Sequence, residues 1–472
     1  MNKKTIGKLV VAVMLTALCG CGSREVPEGT GGMVKVGSYN VEEEIFLSDE
    51  SGTEELLDTF LSDDGLCEIK RYASYYDVTL DYEKSSPEEV GAAYAKTILE
   101  AVPDYAAFFD PYLHENLRSV FLGRPANYAS LEERVLTLEA SIPEDYRREI
   151  ESFARTLSGG EEGYEEDGKL SYIEALTMQM IPDALRGTAC SALSLGGSRT
   201  VTGERITMRN LEWNLGSEAQ MTKIHAVMHM KKHERSLTAI SILGILDMIT
   251  AVNDDGVMIA ILDVGSGTGA AEGMPFVYEG KKCYTHEIRH ALEEFRTARE
   301  AGEFLLAESG DFTWCNNLLV TDSKDAFCCE NATREVREAG KAVSVLRSAD
   351  TELMEGLEWD SADALCIVNS FATKGNRDSF TGVNSNTDRF AKYNKWVSEK
   401  DRFSVADVKG LMSKEVVEQH EVLNVHNAGT VHTVIVDYAS GDIHVAFTQG
   451  YYAEDVPEFV KVGNFGDVPA EL

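Results

Sequence analysis

Two stretches of this 472-residue chain carry side chains whose types and spacing could do chemistry. His286-Glu287-Ile288-Arg289-His290 satisfies the H-E-x-x-H pattern inside a predicted helix, where a four-residue spacing puts both imidazoles on one face. Such a pair could hold zinc, with Glu287 as general base and Glu308 as a third ligand. The second stretch is Cys190-Ser191-Ala192. Taken alone, Cys190 reads as a buried strand cysteine, the usual fate of a free thiol. His225, His229 and His233 also share a face, but Lys223, Lys231, Lys232 and Arg235 around them favour a solvated surface. Cys67, Cys283, Cys315, Cys328, Cys329 and Cys366 repeat no zinc spacing and are expected as buried free thiols.

The elements that must position these groups begin with a segment addressed to the outside of a cell. Lys3, Lys4 and Lys8 precede an apolar run from Leu9 to Leu18, too short to span a bilayer, so residues 1–21 read as an export signal. Leu18-Cys19-Gly20-Cys21 resembles the lipobox of bacterial lipoproteins, which implies lipidation at Cys21 and anchoring to the outer face of the cytoplasmic membrane, or to the periplasmic side in a Gram-negative cell. Residues 22–85 form a tether, Gly-rich as far as Gly32, and then an acidic segment with no clear assignment. A net charge of −35, from 44 basic and 79 acidic residues, would repel nucleic acid and anionic membrane surfaces. Contact with the membrane is therefore expected through the lipid alone.

Residues 86–189 are expected to be helical. Ser86, Pro87 and Glu89 make a capping box with proline at the first position, and Val90, Tyr94, Ile98 and Ala101 line one face before Pro103. A second helix follows Pro143, with Tyr146, Ile150, Phe153 and Leu157 at helical spacing, and a third starts at Ser171 with Glu174 three residues on. From Cys190 the pattern turns to strands punctuated at Gly196-Gly197, Thr202-Gly203, Asp254-Asp255-Gly256 and Ser440-Gly441-Asp442, with one helix predicted over Glu287 to Leu306. Strands on both sides of a helical insertion predict an α+β fold of stacked sheets covered by helices.

Cys190-Ser191-Ala192, a turn, and Arg205-Ile206-Thr207-Met208-Arg209-Asn210-Leu211-Glu212-Trp213 resemble the nucleophile hairpin of the isopenicillin-N acyltransferase family, to which choloylglycine hydrolases and acid ceramidase are related. Val252-Asn253-Asp254-Asp255-Gly256-Val257, Asn317-Leu318-Leu319-Val320-Thr321-Asp322, Ile367-Val368-Asn369-Ser370-Phe371, Asp388-Arg389-Phe390 and Thr430-Val431-His432-Thr433 follow in that family's order. The likeness covers roughly residue 140 to the C-terminus. It implies a four-layer αββα N-terminal-nucleophile (Ntn) hydrolase core over residues 190–472, with residues 86–189 as a propeptide-like α subunit. It also implies self-cleavage of the Ala189–Cys190 bond, so that both subunits come from one precursor.

Cleavage matters chemically, because an internal cysteine has no adjacent base. Once N-terminal, its own α-amine, with a reference pKa near 7.7–8.0, can take the thiol proton. By resemblance Arg209 lies beside the thiol, Glu212 accepts from the amine, Asn253 and Asn369 orient the nucleophile or donate to the oxyanion, and Arg389 steadies the site. Glu212 stands where relatives most often have Asp, and Ala189 where many have Gly. The implied reaction is cleavage of a linear, non-peptide amide in a small N-acyl substrate through a Cys190 thioester, by hydrolysis or transfer to another amine, with no cofactor. The residues around His290 continue as that family's connecting helix, which makes the zinc pattern a coincidence; stoichiometric zinc lost with activity in His286→Ala would reverse this. A non-catalytic solute-binding lipoprotein is the third reading, and it lacks the repeated βαβ units such proteins show.

Overall fold

The computed structural model describes residues 51–120, 127–185, 189–264, 278–376, 384–418, 425–427, 429–450 and 457–467; the export signal, Cys21 and the Gly-rich tether lie outside them. Strands β1 (Asp58–Leu61), β2 (Cys67–Arg71) and β3 (Tyr76–Asp81) precede helices α1 (Pro87–Ala101), α2 (Tyr105–Val120), α3 (Tyr128–Glu139), α4 (Glu144–Leu157), α5 (Tyr172–Met178) and α6 (Ile181–Ala184). Then come β4 (Ala189–Leu195), β5 (Ile206–Glu212), β6 (His225–Lys231), β7 (Leu237–Ile242), β8 (Thr250–Asn253) and β9 (Met258–Asp263). Helices α7 (Tyr284–Glu294) and α8 (Ala298–Glu308) lead to β10 (Asn316–Thr321), β11 (Ala326–Asn331), α9 (Arg334–Glu338), β12 (Val345–Arg347) and β13 (Ala364–Ile367). Helices α10 (Asn384–Glu399) and α11 (Val405–Glu418) and strands β14 (Thr430–Asp437), β15 (Asp442–Phe447) and β16 (Val460–Asn464) complete the order.

The strands form two sheets, one of ten strands in the order β1-β2-β3-β6-β7-β8-β9-β10-β11-β12 and one of six in the order β13-β4-β5-β14-β15-β16. Period-two alternation decides what each face of the smaller sheet meets. Cys190, Ala192 and Leu211 pack into the core between the sheets, whereas Leu193, Leu195, Ile206 and Met208 face Phe390, Tyr393 and Trp396 of α10 and Val408 and Leu411 of α11. On the far side, α7 and α8 lie against the ten-stranded sheet, and α1 covers β2 and β3. The result is the expected four-layer α+β arrangement, helices–sheet–sheet–helices.

Helix starts match the caps read from sequence. Ser86 and Ser171 each accept from the backbone N–H three residues on, while Glu89 and Glu174 reach back, each box stabilising its helix by about 1 kcal/mol. The tight turns also fall where glycine was read: Gly256 (φ 82°) and Gly441 (φ 82°) adopt the left-handed conformation that other residues disfavour.

Two expectations are corrected. The stretch Glu287 to Leu306 is not one helix: α7 ends at Glu294, Phe295 is extended, and Thr297 accepts from Glu300 N to start α8. The His225 strand is not a solvated face either, because β6 is an interior strand between β3 and β7, with His225 fully buried and Lys231 nearly so. The unassigned acidic segment supplies β1–β3, and β3 pairs parallel with β6, so chain from before Cys190 extends a sheet built mostly from after it.

The helical segment is also sewn to the later chain by buried polar groups. Asp183 accepts from Tyr284 N (2.8 Å), Thr285 Oγ1 (2.7 Å) and Thr313 Oγ1 (2.7 Å), and its carbonyl accepts from Trp314 Nε1 (2.8 Å). Glu149 of α4 pairs with Arg289 of α7 at 2.6 Å, both fully buried, with Tyr82 donating to the same carboxylate. Gln179 clamps the β7–β8 loop through Gly244 O (2.8 Å) and Leu246 N (2.9 Å).

Candidate active site

Cys190 sits second in β4, paired with Leu211 of β5, with its thiol turned into the inter-sheet core. Arg209 lies two residues before Leu211, so the pleat puts its side chain on the same face. Its Nη2 is 3.3 Å from Cys190 Sγ and donates to Ile261 O of β9 at 3.0 Å, tying the guanidinium to the opposite sheet. Arg209 Nε and Nη1 have no hydrogen-bond partner among the described residues. Glu212, three residues from Arg209, points to the other face of β5, where Arg389 of α10 meets its Oε2 at 3.0 Å. The remaining oxygen, Oε1, is buried without a partner.

The backbone of Cys190 is held as firmly as its thiol. Its N–H donates to Asn369 Oδ1 at 2.7 Å, and Arg389 Nη1 donates to its carbonyl at 3.1 Å. Arg389 Nη2 also donates to Asn369 Oδ1 (2.8 Å) and to Asn386 Oδ1 (2.7 Å), and Asn369 Nδ2 donates to Asp263 O (2.7 Å). Asn369, Arg389 and Arg209 thus hold the amide nitrogen, the carbonyl and the sulfur through three different side chains, the first two joined to each other. The segment carrying Asn369 is itself fixed by Asn317, whose Nδ2 donates to Val368 O (2.9 Å) and Ser370 O (3.0 Å).

Electrostatics follow from burial. The Cys190 thiol is pushed up to about 11 by desolvation, against the lowering pull of Arg209. The Glu212 carboxyl is likewise raised to about 8 by burial, although Arg389 and Arg209 oppose this. At neutral pH the thiol therefore keeps its proton, and no carboxylate or imidazole hydrogen-bonds it among the described residues. A base in direct contact with the thiol is what the arrangement lacks among the described residues, the Cys190 nitrogen being an amide that donates to Asn369.

Of the residues singled out in sequence, the structure brings together Cys190, Arg209, Glu212, Asn369 and Arg389. Asn253 is not among them. Its Nδ2 donates to Leu292 O (2.9 Å) and Phe295 O (3.0 Å), and its Oδ1 accepts from Val257 N (2.8 Å), so it ends α7 and closes the β8–β9 turn. In the uncut chain the Cys190 amide N–H goes to Asn369 and Glu212 pairs with Arg389, so the contact expected between Glu212 and the free amine belongs to the cleaved chain. Asn317, Asn386 and Tyr393, which donates to Ser191 Oγ at 2.9 Å, were missed as supports. Asn386 had a readable signal, one helical turn before Arg389.

The H-E-x-x-H histidines do not converge on a common point. His286 is buried with Nε2 3.1 Å from Gln179 O, His290 packs against Phe304, and Glu287 faces Lys282 at 3.6 Å.

No protein-family model and no curated protein matches the chain. Among solved structures, an N-acylethanolamine-hydrolyzing acid amidase ortholog from Caenorhabditis elegans aligns over 52% of this chain and 92% of its own, at 14% identity and TM-score 0.36. A mutant of conjugated bile acid hydrolase from Clostridium perfringens aligns over 60% and 98%, at 10% identity and TM-score 0.27. A second variant of that hydrolase aligns over 60% and 99%, at 10% identity and TM-score 0.24. Overlays this distant carry no functional weight, which falls on the side chains around Cys190.

Proposed function

We propose that this chain is an Ntn hydrolase or acyltransferase that cleaves a linear amide in a small N-acyl substrate, with Cys190 as nucleophile after cleavage of the Ala189–Cys190 bond. The supporting observation is the threefold grip on Cys190: Arg209 at the sulfur, Asn369 at the nitrogen and Arg389 at the carbonyl. A structural cysteine in a strand has no use for an arginine at its thiol and an asparagine competing for its ladder nitrogen.

Activation begins with the Cys190 thiol attacking the Ala189 carbonyl. A C–S bond forms, the C–N bond breaks, and water then hydrolyses the thioester, leaving an Ala189 carboxylate and a free Cys190 amine. Glu212, whose Oε1 has no partner among the described residues, is the acceptor for the extra N–H that cleavage creates once its carboxyl ionises. The freed amine takes the thiol proton, and Arg209 stabilises the thiolate. In turnover, the thiolate attacks the substrate carbonyl, the amine product departs with the proton returned to it, and water or a second amine resolves the thioester. Asp183 and Glu149 hold the two pieces together once the chain is cut.

The neighbours are an N-acylethanolamine-hydrolyzing acid amidase ortholog and a conjugated bile acid hydrolase, and at that structural distance they select no substrate. The test is a panel of N-acyl amides, including N-acylethanolamines and conjugated bile acids, quenched in acid and read by mass spectrometry. Acyl adducts on the peptide beginning at Cys190, absent in Cys190→Ala, support the reading; turnover that survives Cys190→Ala removes it. Export and lipidation at Cys21 are part of the same proposal. Labelled fatty acid entering the wild type but not Cys21→Ala supports it.

A further inference from the structure

A second cluster of chemical side chains lies in the helical segment, away from Cys190. Asp110 and His114 stand four apart on α2, and Glu174 faces them from α5; all three are buried. One ligand atom from each, a carboxylate oxygen or an imidazole nitrogen, lies within 4.8 Å of the others. His114 Nε2 is 2.8 Å from Glu174 Oε1 and 3.4 Å from Asp110 Oδ1. Asp110 Oδ1, which points at this junction, is buried and has no hydrogen-bond partner among the described residues.

The second carboxylate oxygens are anchored from behind. Asp110 Oδ2 accepts from Gly168 N (2.7 Å), and Glu174 Oε2 accepts from Ser171 N (2.8 Å), while Glu165 N donates to Glu174 Oε1 (2.9 Å). These amides fix the carboxylates with Asp110 Oδ1 facing inward. They also hold the acidic loop against the cluster at Glu165 and Gly168, where Glu166 is paired with Arg118 of α2. Two buried carboxylates beside one imidazole leave the junction itself acidic.

We propose that Asp110, His114 and Glu174 form a structural site for one divalent transition cation of the zinc class. The cation sits between His114 Nε2 and the two carboxylate oxygens, which lie within 4.8 Å of one another. The two carboxylates match its double charge, and the imidazole adds a neutral nitrogen ligand. The helical α2–α5 pair and the acidic loop become cross-linked through it. One nitrogen and two oxygens suit zinc or manganese, whereas calcium seeks six to eight oxygens.

The test uses protein stripped with chelator, dialysed, and titrated separately with zinc, manganese and calcium chlorides. Metal content by mass spectrometry and melting temperature are read for the wild type, Asp110→Asn and His114→Gln. The site predicts about one zinc retained per chain and a melting temperature raised by zinc, with both effects lost in either variant. Because a variant could misfold, zinc-edge X-ray absorption of the wild type provides an independent reading, with one imidazole nitrogen, oxygen neighbours and no sulfur expected. No retained metal, sulfur ligation from the buried cysteines, undiminished binding in both variants, or a response to calcium alone would each overturn the proposal.

Discussion

At the scale of single residues, the distinction that matters is between asparagines that share a sequence character and not a job. Asn369 accepts from the Cys190 nitrogen, so Asn369→Ala, by letting the nucleophile shift, is expected to cut the rate of chain cleavage and of turnover about 100-fold while the protein stays folded. Asn253 instead satisfies three backbone groups, two of them buried, so Asn253→Ala should cost about 1–3 kcal/mol of stability, seen as a lower denaturant midpoint, with kcat per folded molecule unchanged. Arg209 lowers a thiol that burial raises; Arg209→Met should shift the pH dependence of iodoacetamide alkylation at Cys190 upward. Cys190, Arg209, Asn369 and Arg389 were legible because short motifs kept their order along the chain. The role of Asn253 was not, because an asparagine before Asp254-Asp255-Gly256 looks the same whether its amide faces a substrate or a helix end.

Elements were legible where local chemistry marks them. Both serine capping boxes appear where Glu follows three residues on, and the buried face of α4 repeats Tyr146, Ile150, Phe153 and Leu157 as its spacing required. The break between α7 and α8 escaped reading because its causes are split. Thr297 is local, but the Asn253 amide that takes the carbonyls of Leu292 and Phe295 comes from some forty residues earlier in the chain. The strands β1–β3 were hidden for a related reason: β1 is a largely exposed edge strand without alternation, and the place of all three is set by the parallel pairing of β3 with distant β6. Removing the cap in Thr297→Ala should lower stability by about 1 kcal/mol, measured by chemical denaturation.

Across the whole molecule, buried acids set the pH response. Asp183 is raised to about 7 and Glu212 to about 8, in both cases chiefly by burial, so each holds a proton in the native state that the unfolded chain has lost. The native state thus binds more protons between the unfolded carboxylate range near 4 and these higher values, and stability falls as pH rises through that window. His225, His286 and His444, lowered to about 4 by burial, act in the opposite direction, but only below the usual imidazole range. Between pH 6.5 and 8 the acids alone operate, so the melting temperature should decline over that interval, less steeply in Asp183→Asn. The stacked sheets could be anticipated from strands flanking a helical insertion. Which side chains cross between the two pieces of chain could not, since Asp183 and Glu149 find partners more than a hundred residues away.

The central claim is that Cys190 becomes an N-terminus. The measurement is the intact mass, under denaturing and reducing conditions, of a soluble protein beginning at Gly22, beside its Cys190→Ala variant. Two polypeptides in the wild type, one of them running from Cys190 to Leu472, with a single uncut chain in the variant, is the predicted result. A single uncut chain in both, from protein that is folded, would contradict it.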